Sequence, residues 1–170
     1  QYYQAKDAKG QTILKMVGQY TTIVGRVPSF TLEYLLRPSL EKPSVQQELY
    51  IYNATSAAID GGIFFAKDTS LNGNDGVPVS AQGNNAGMYI ADGKYKLFLN
   101  MGVEDGPAKF NAMNYHRNGG YNLSDYAMND YSPANFDGTG IGVKNLKEGA
   151  TVYSGSDSAY SAKWNWQTFQ

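Results

Sequence analysis

Asp68, Ser70, Asn72 and Asp75 place four short oxygen-bearing side chains in one run around Gly73. Alternating oxygens about a Gly-enabled turn have the spacing with which a calcium loop opens, because a hard cation takes many oxygen ligands and the chain must bend sharply to converge them. Where the helix–loop–helix form of such a site carries a bidentate Glu, this chain has Val79, and the flanking residues are strand-like. Weak Ca2+ binding through these four residues, completed by backbone carbonyls, is one expectation. A plain Asx-rich turn is the other.

A second constellation centres on His116, the one histidine of the chain. It stands with Tyr115, Arg117, Tyr121, Tyr126 and Tyr131 in a stretch dominated by Tyr, Asn, Gly and Asp. Tyr offers stacking area at low entropic cost and Asn and Asp offer adaptable hydrogen bonds, so this is the expected ligand-binding surface, with a glycan as the candidate ligand. Imidazole titrates near neutral pH and could act as a general base. No nucleophile elbow such as G-x-S-x-G accompanies it, and a lone His is more often a hydrogen-bonded structural residue. Glu104 and Asp105 are adjacent, so on a strand they would point to opposite faces rather than flank one glycosidic bond. No catalytic group is assigned, and the chain reads as a non-enzyme.

Trp164 and Trp166, two residues apart, would share one face of a strand at a spacing that suits stacked sugar rings. With Tyr160 and Ala162 on that same face, they are expected instead to be buried core. Two N-x-[ST] sequons, Asn53-Ala-Thr55 and Asn122-Leu-Ser124, should lie at the surface if the chain passes through a glycosylating pathway.

The residues that are missing narrow the chemistry further. Cysteine is absent, which removes disulfides, thiolate metal sites and thiol nucleophiles. A single histidine removes any two-His metal site. Fourteen Lys and Arg against fifteen Asp and Glu leave a net charge of −1, whereas a nucleic-acid binder needs surplus cations to displace counterions. No apolar run reaches the length of a membrane helix. The chain opens on Gln rather than Met, which fits signal cleavage, other proteolysis or a trimmed sequence equally.

The elements that must position these residues read as strands. Gly is abundant at 19 copies against 6 Pro, and Asp-Gly or Asn-Gly dipeptides recur at 60–61, 72–73, 75–76, 92–93, 105–106, 118–119 and 137–138. Such pairs tolerate the positive φ that two-residue hairpin turns require. Between them lie short β-prone runs: 13–17, 20–24, 30–36, 49–52, 63–65, 88–90, 95–99 and 151–153. The run from Tyr160 to Phe169 alternates with period two and predicts one long strand. Of 23 aromatic residues 14 are Tyr, whose apolar bodies help to fill a core otherwise short of aliphatic side chains.

The expected fold is all-β: a single antiparallel β-sandwich, jelly-roll or Ig-like, over residues 12–170. A polar N-terminal arm over residues 1–11 precedes it, and a long Tyr/Asn/Gly-rich loop region runs over 102–140. With no catalytic set, the expected role is structural. The chain would be a self-assembling subunit of a virion or of an extracellular filament or surface layer, associating with copies of itself or with other structural subunits through terminal strands or arms. The alternative is a carbohydrate-binding or adhesion module that uses the Tyr/Asn-rich loops.

Overall fold

Gly and Asn at positive φ mark where this chain reverses, and the strands follow from those points. The computed structural model describes residues 1–21, 28–117, 120–121 and 146–170. Among them every regular element is a strand, the ladders between these strands are antiparallel, and there is no helix. The protein is all-β. The chain divides into two compact units, residues 1–60 with 168–170, and residues 61–167.

The first unit is a meander. Strands β1 (Tyr2–Lys6), β2 (Thr12–Thr21), β3 (Pro28–Pro38) and β4 (Val45–Asn53) lie side by side in the order β1-β2-β3-β4. The β1–β2 turn is pinned by Asp7, whose carboxylate accepts from the Lys9 and Gln11 amides, and Gly10 at φ 79 closes it. Residues 2–6 of the expected arm are thus a paired strand, tied to β2 from Tyr2↔Met16 to Lys6↔Thr12. The runs 13–17 and 20–24, read as two strands, begin within one long β2 that passes straight through Gly18. β5 (Ile59–Gly61) pairs with β15 (Gln167–Phe169). Phe169 returns to the first unit, where its ring meets Phe30 edge-on at 5.4 Å and its carbonyl accepts from Asn53.

The second unit holds two larger sheets. One has the order β13-β7-β8-β9, built from β7 (Val79–Gln82), β8 (Gly87–Asp92), β9 (Tyr95–Asn100) and β13 (Thr151–Tyr153). The other has the order β10-β14-β6, from β6 (Phe64–Asp68), β10 (Lys109–Asn114) and β14 (Ser158–Lys163). Strands from both sheets contribute to one apolar cluster: Val79, Met88 and Ile90 from the first sheet, Phe110, Ala112, Tyr160 and Ala162 from the second. The β8–β9 reversal places Gly93 at φ 57 before Lys94, the type II′ pattern with Gly at the first central position.

The C-terminal run differs from its expectation. It is not one half-buried strand but β14, a break at 164–166, and β15. All six residues of β14 are buried, polar ones included, because β14 is the middle strand of its sheet. Trp164 and Trp166 fall in the break and are half-buried. The Trp164 amide donates to the Ile63 carbonyl and its indole N–H to the Asp105 carbonyl, which turns the chain out of the sheet. The loop region expected over 102–140 also contains a strand, β10, whose alternation of Phe110, Ala112 and polar residues is too short to stand out in an Asn-rich context.

Candidate interaction surface

The sheet of the first unit separates its side chains by charge. Residues directly opposite in an antiparallel pair share a face, so the register assigns every position. One face carries Lys15, Glu33, Arg37 and Glu48. The other carries Tyr2, Leu14, Met16, Leu32, Tyr34, Leu36, Val45, Leu49 and Ile51, with Gln4 and Gln47, and its one strand charge is Lys6 at a corner.

The charged face is internally satisfied. Lys15 Nζ lies 2.9 Å from Glu33 Oε1, and Arg37 Nε lies 2.6 Å from Glu48 Oε1 while its second arm reaches Asp7. Tyr50 and Gln46 both donate to Glu48. The guanidinium hydrogen bond holds the Glu48 carboxyl below its ordinary value, and the Gln11 amide does the same for Asp7. Ile13 and Leu35 are buried on this face, while Tyr3, Tyr50 and Tyr52 on it are 43%, 45% and 49% exposed.

The uncharged face is exposed where it should be dry. Leu14 is 45% exposed, Leu49 36% and Val45 55%. On it Tyr34 donates to Gln47 Oε1 at 2.5 Å and Lys6 to Thr12 at 2.5 Å. The edge is open as well. Gln1 and Val17 exchange backbone hydrogen bonds, so alternation points the N–H and C=O groups of Tyr2, Gln4 and Lys6 outward from β1. Among the described residues β1 has a single strand neighbour.

The residues singled out in the sequence are placed as follows. Asn72 at φ 56 and Gly73 at φ 77 form a tight turn closed by mutual Leu71–Asn74 backbone bonds. Asp68, Ser70, Asn72 and Asp75 are all exposed along it. The Asp75 carbonyl, a candidate cation ligand, accepts from both the amide and hydroxyl of Ser158. Tyr115 is half-buried, and its amide donates to the Asp157 carbonyl. His116 and Arg117 form the two-residue strand β11 (His116–Arg117), paired with β12 (Gly120–Tyr121). Their side chains and that of Tyr121, like the whole of Tyr126, Tyr131 and the sequon at Asn122, lie outside the described residues. The side-chain amide of the other sequon, Asn53, is occupied: it donates to Ala57 and Phe169 and accepts from Thr55.

One further surface was not signalled by the sequence. On the second unit Tyr89 and the half-exposed Phe98 stand across β8 and β9 with ring centroids 5.9 Å apart. Lys96 places its ammonium 3.9 Å from the Tyr89 ring centroid and 4.7 Å from that of Phe98. Period-two alternation of Lys96 and Phe98 was visible, but the cross-strand partner Tyr89 needed the register.

Comparison of the chain with protein-family models, with curated proteins and with solved structures finds no match. Among the described residues no helix is long and apolar enough to cross a membrane.

Proposed function

We propose that this protein is a non-enzymatic structural subunit, one that builds a virion, an extracellular filament or a surface layer by associating with copies of itself. The observation that carries the reading is the open edge of β1. An edge strand that aims three N–H and C=O sets outward, with no further strand paired to it among the described residues, is a template for another strand, and Tyr2 on it is 77% exposed. β1 suits this role better than β14 of the C-terminal run, which is enclosed between β10 and β6. The two sheets of the second unit, sharing one apolar cluster, support a sandwich of the jelly-roll or Ig-like kind as the body of that subunit.

Light scattering over a wide concentration range tests the reading. The parent chain should grow in size with concentration. Gln4→Pro should remove the largest species while leaving the far-UV β spectrum intact, because Pro at an outward edge position deletes a donor without breaking the β1–β2 ladder. A parent that stays monomeric at the highest concentration overturns the reading.

A glycan-binding module is the second reading, favoured by the Tyr89–Phe98 pair. Lys96 lies over both rings, so a sugar would have to displace that ammonium before it could stack. Glycan binding by a monomer would move this reading ahead.

A further inference from the structure

We infer that the uncharged face of the β1–β4 sheet is a docking surface for the same face of a second copy of this chain. The inference rests on the assembly reading above and assigns it a second, distinct contact. A sheet needs only one apolar face, and this sheet has placed Lys15, Glu33, Arg37 and Glu48 on the other. On that other face the charges are paired with one another, Ile13 and Leu35 are buried, and the exposed apolar groups are tyrosines that keep a polar tip for water. The uncharged face is unfinished, with Leu14, Val45 and Leu49 each about a third exposed or more. A contiguous apolar patch of this kind marks an interaction site.

The chemistry of the face selects its occupant. Among the described residues its strands offer neither cation nor anion except Lys6 at a corner, and Tyr34 donates to Gln47 on it. A charged peptide, a phosphate group or a nucleic acid would find nothing to neutralise. An identical face is its complement: aliphatic against aliphatic, with no charge buried on either side. Size agrees. Four strands at about 4.8 Å spacing and nine residues at about 3.3 Å rise cover roughly 600 Å². Two copies would then remove about 1,200 Å² from water, the lower bound of a stable specific interface. Two twisted sheets can meet this way at a separation of about 10 Å with strands inclined by about 30°. Phe169 already packs against Phe30 at one end of the face, which leaves the Leu14–Leu36–Leu49 region as the centre of the contact.

The absence of cysteine supplies the experiment. Sedimentation of the full chain should show a dimer. Leu14→Glu combined with Leu49→Glu should weaken that dimer by about 100-fold or more, because four like charges would be buried across it. Gln19→Glu combined with Tyr52→Glu, on the charged face, should leave it unchanged. As a second measurement, single Leu14→Cys and Leu49→Cys chains treated with a short bismaleimide should yield covalent dimers, and Gln19→Cys and Tyr52→Cys should not. If the glutamate variants lose their fold, the cross-linking decides alone.

Dimers that survive the glutamates, or cross-links equally frequent from both faces, overturn the inference while leaving edge assembly standing. Monomeric Leu14→Cys and Leu49→Cys chains whose thiols resist labelling overturn it too, and would mean that another part of the same chain covers the face. A parent that assembles while neither Leu14→Cys nor Leu49→Cys cross-links refutes face pairing but not the structural role.

Discussion

Lys109 and Lys163 stand directly opposite each other on β10 and β14, and they are 6% and 4% exposed. Two like charges in one cross-strand pair oppose each other. Burial pushes the Lys163 ammonium below its usual 10.5, and the neighbouring positive charge of Lys109 pushes it further. The folded chain therefore holds this proton less tightly than the unfolded chain does. Stability should rise as pH climbs through the lowered Lys163 value toward 10.5, where the unfolded lysine also deprotonates. Urea midpoints measured from neutral pH upward should show that slope, and Lys163→Met should flatten it. Unchanged slopes in the two chains would reject the account.

The same sign of pH dependence, in the acid range, applies to Asp7 and Glu48. Both carboxyls are held below their ordinary values, Asp7 first by the Gln11 amide and Glu48 first by Arg37. Their contribution is fully present above the ordinary carboxylate range and is lost as pH falls through the lowered values. Both carboxylates belong to an ion-pair network at the sheet surface, so the effect should be small. Amide-exchange protection in β3, taken relative to the intrinsic rate at each pH, should fall in acid, and less so in Glu48→Gln.

Two glycines at positive φ should respond very differently to alanine. At Gly73 (φ 77) a Cβ meets nothing within 4 Å, so the cost is conformational strain alone, about 1–2 kcal/mol. At Gly87 (φ 140) a Cβ would run into the backbone carbonyl of Leu99 on the paired strand. No rotamer relieves an overlap with backbone, and Gly87→Ala should cost roughly 4 kcal/mol or more. Denaturant titration of both variants checks the ranking.

Trp164 is held by a ring contact with Phe65, at 5.8 Å between centroids, and by its indole hydrogen bond to Asp105. Trp164→Phe keeps apolar area and loses the donor, so it should cost about 1 kcal/mol in a urea titration. A loss of the size seen for truncated core residues, about 3–5 kcal/mol, would restore the fully buried role expected from sequence.

The strands and reversals that local chemistry dictates could be read before the fold was seen. Asn72-Gly73 and the Gly93 turn needed only the φ preferences of Gly and Asn, and the runs at 30–36, 49–52, 88–90, 95–99 and 151–153 all lie within strands. Asp60-Gly61 misled for the same reason: it has turn chemistry but sits in β5, paired with β15. What could not be read was position within a sheet. Period two at Tyr160–Lys163 implies one wet face, yet a central strand with material on both sides buries Ser161 and Lys163 as fully as Ala162. The segregation of charge on β1–β4 was equally hidden, because it exists only once register decides which residues are neighbours. The Tyr-rich constellation around His116 lies largely outside the described residues, so the candidate surface rests on the first unit instead.

The central place of β14 also sets a timetable. β6 and β10 have both left the ribosome long before residues 158–163 are made, yet neither has its partner in that sheet until then. During that interval Phe65, Phe110 and Ala112 have no sheet to bury them, and premature pairing with strands of other nascent chains competes with waiting. Slower elongation ahead of residue 158 would lengthen the hazardous interval, and a chaperone that holds extended apolar segments would be most useful just there.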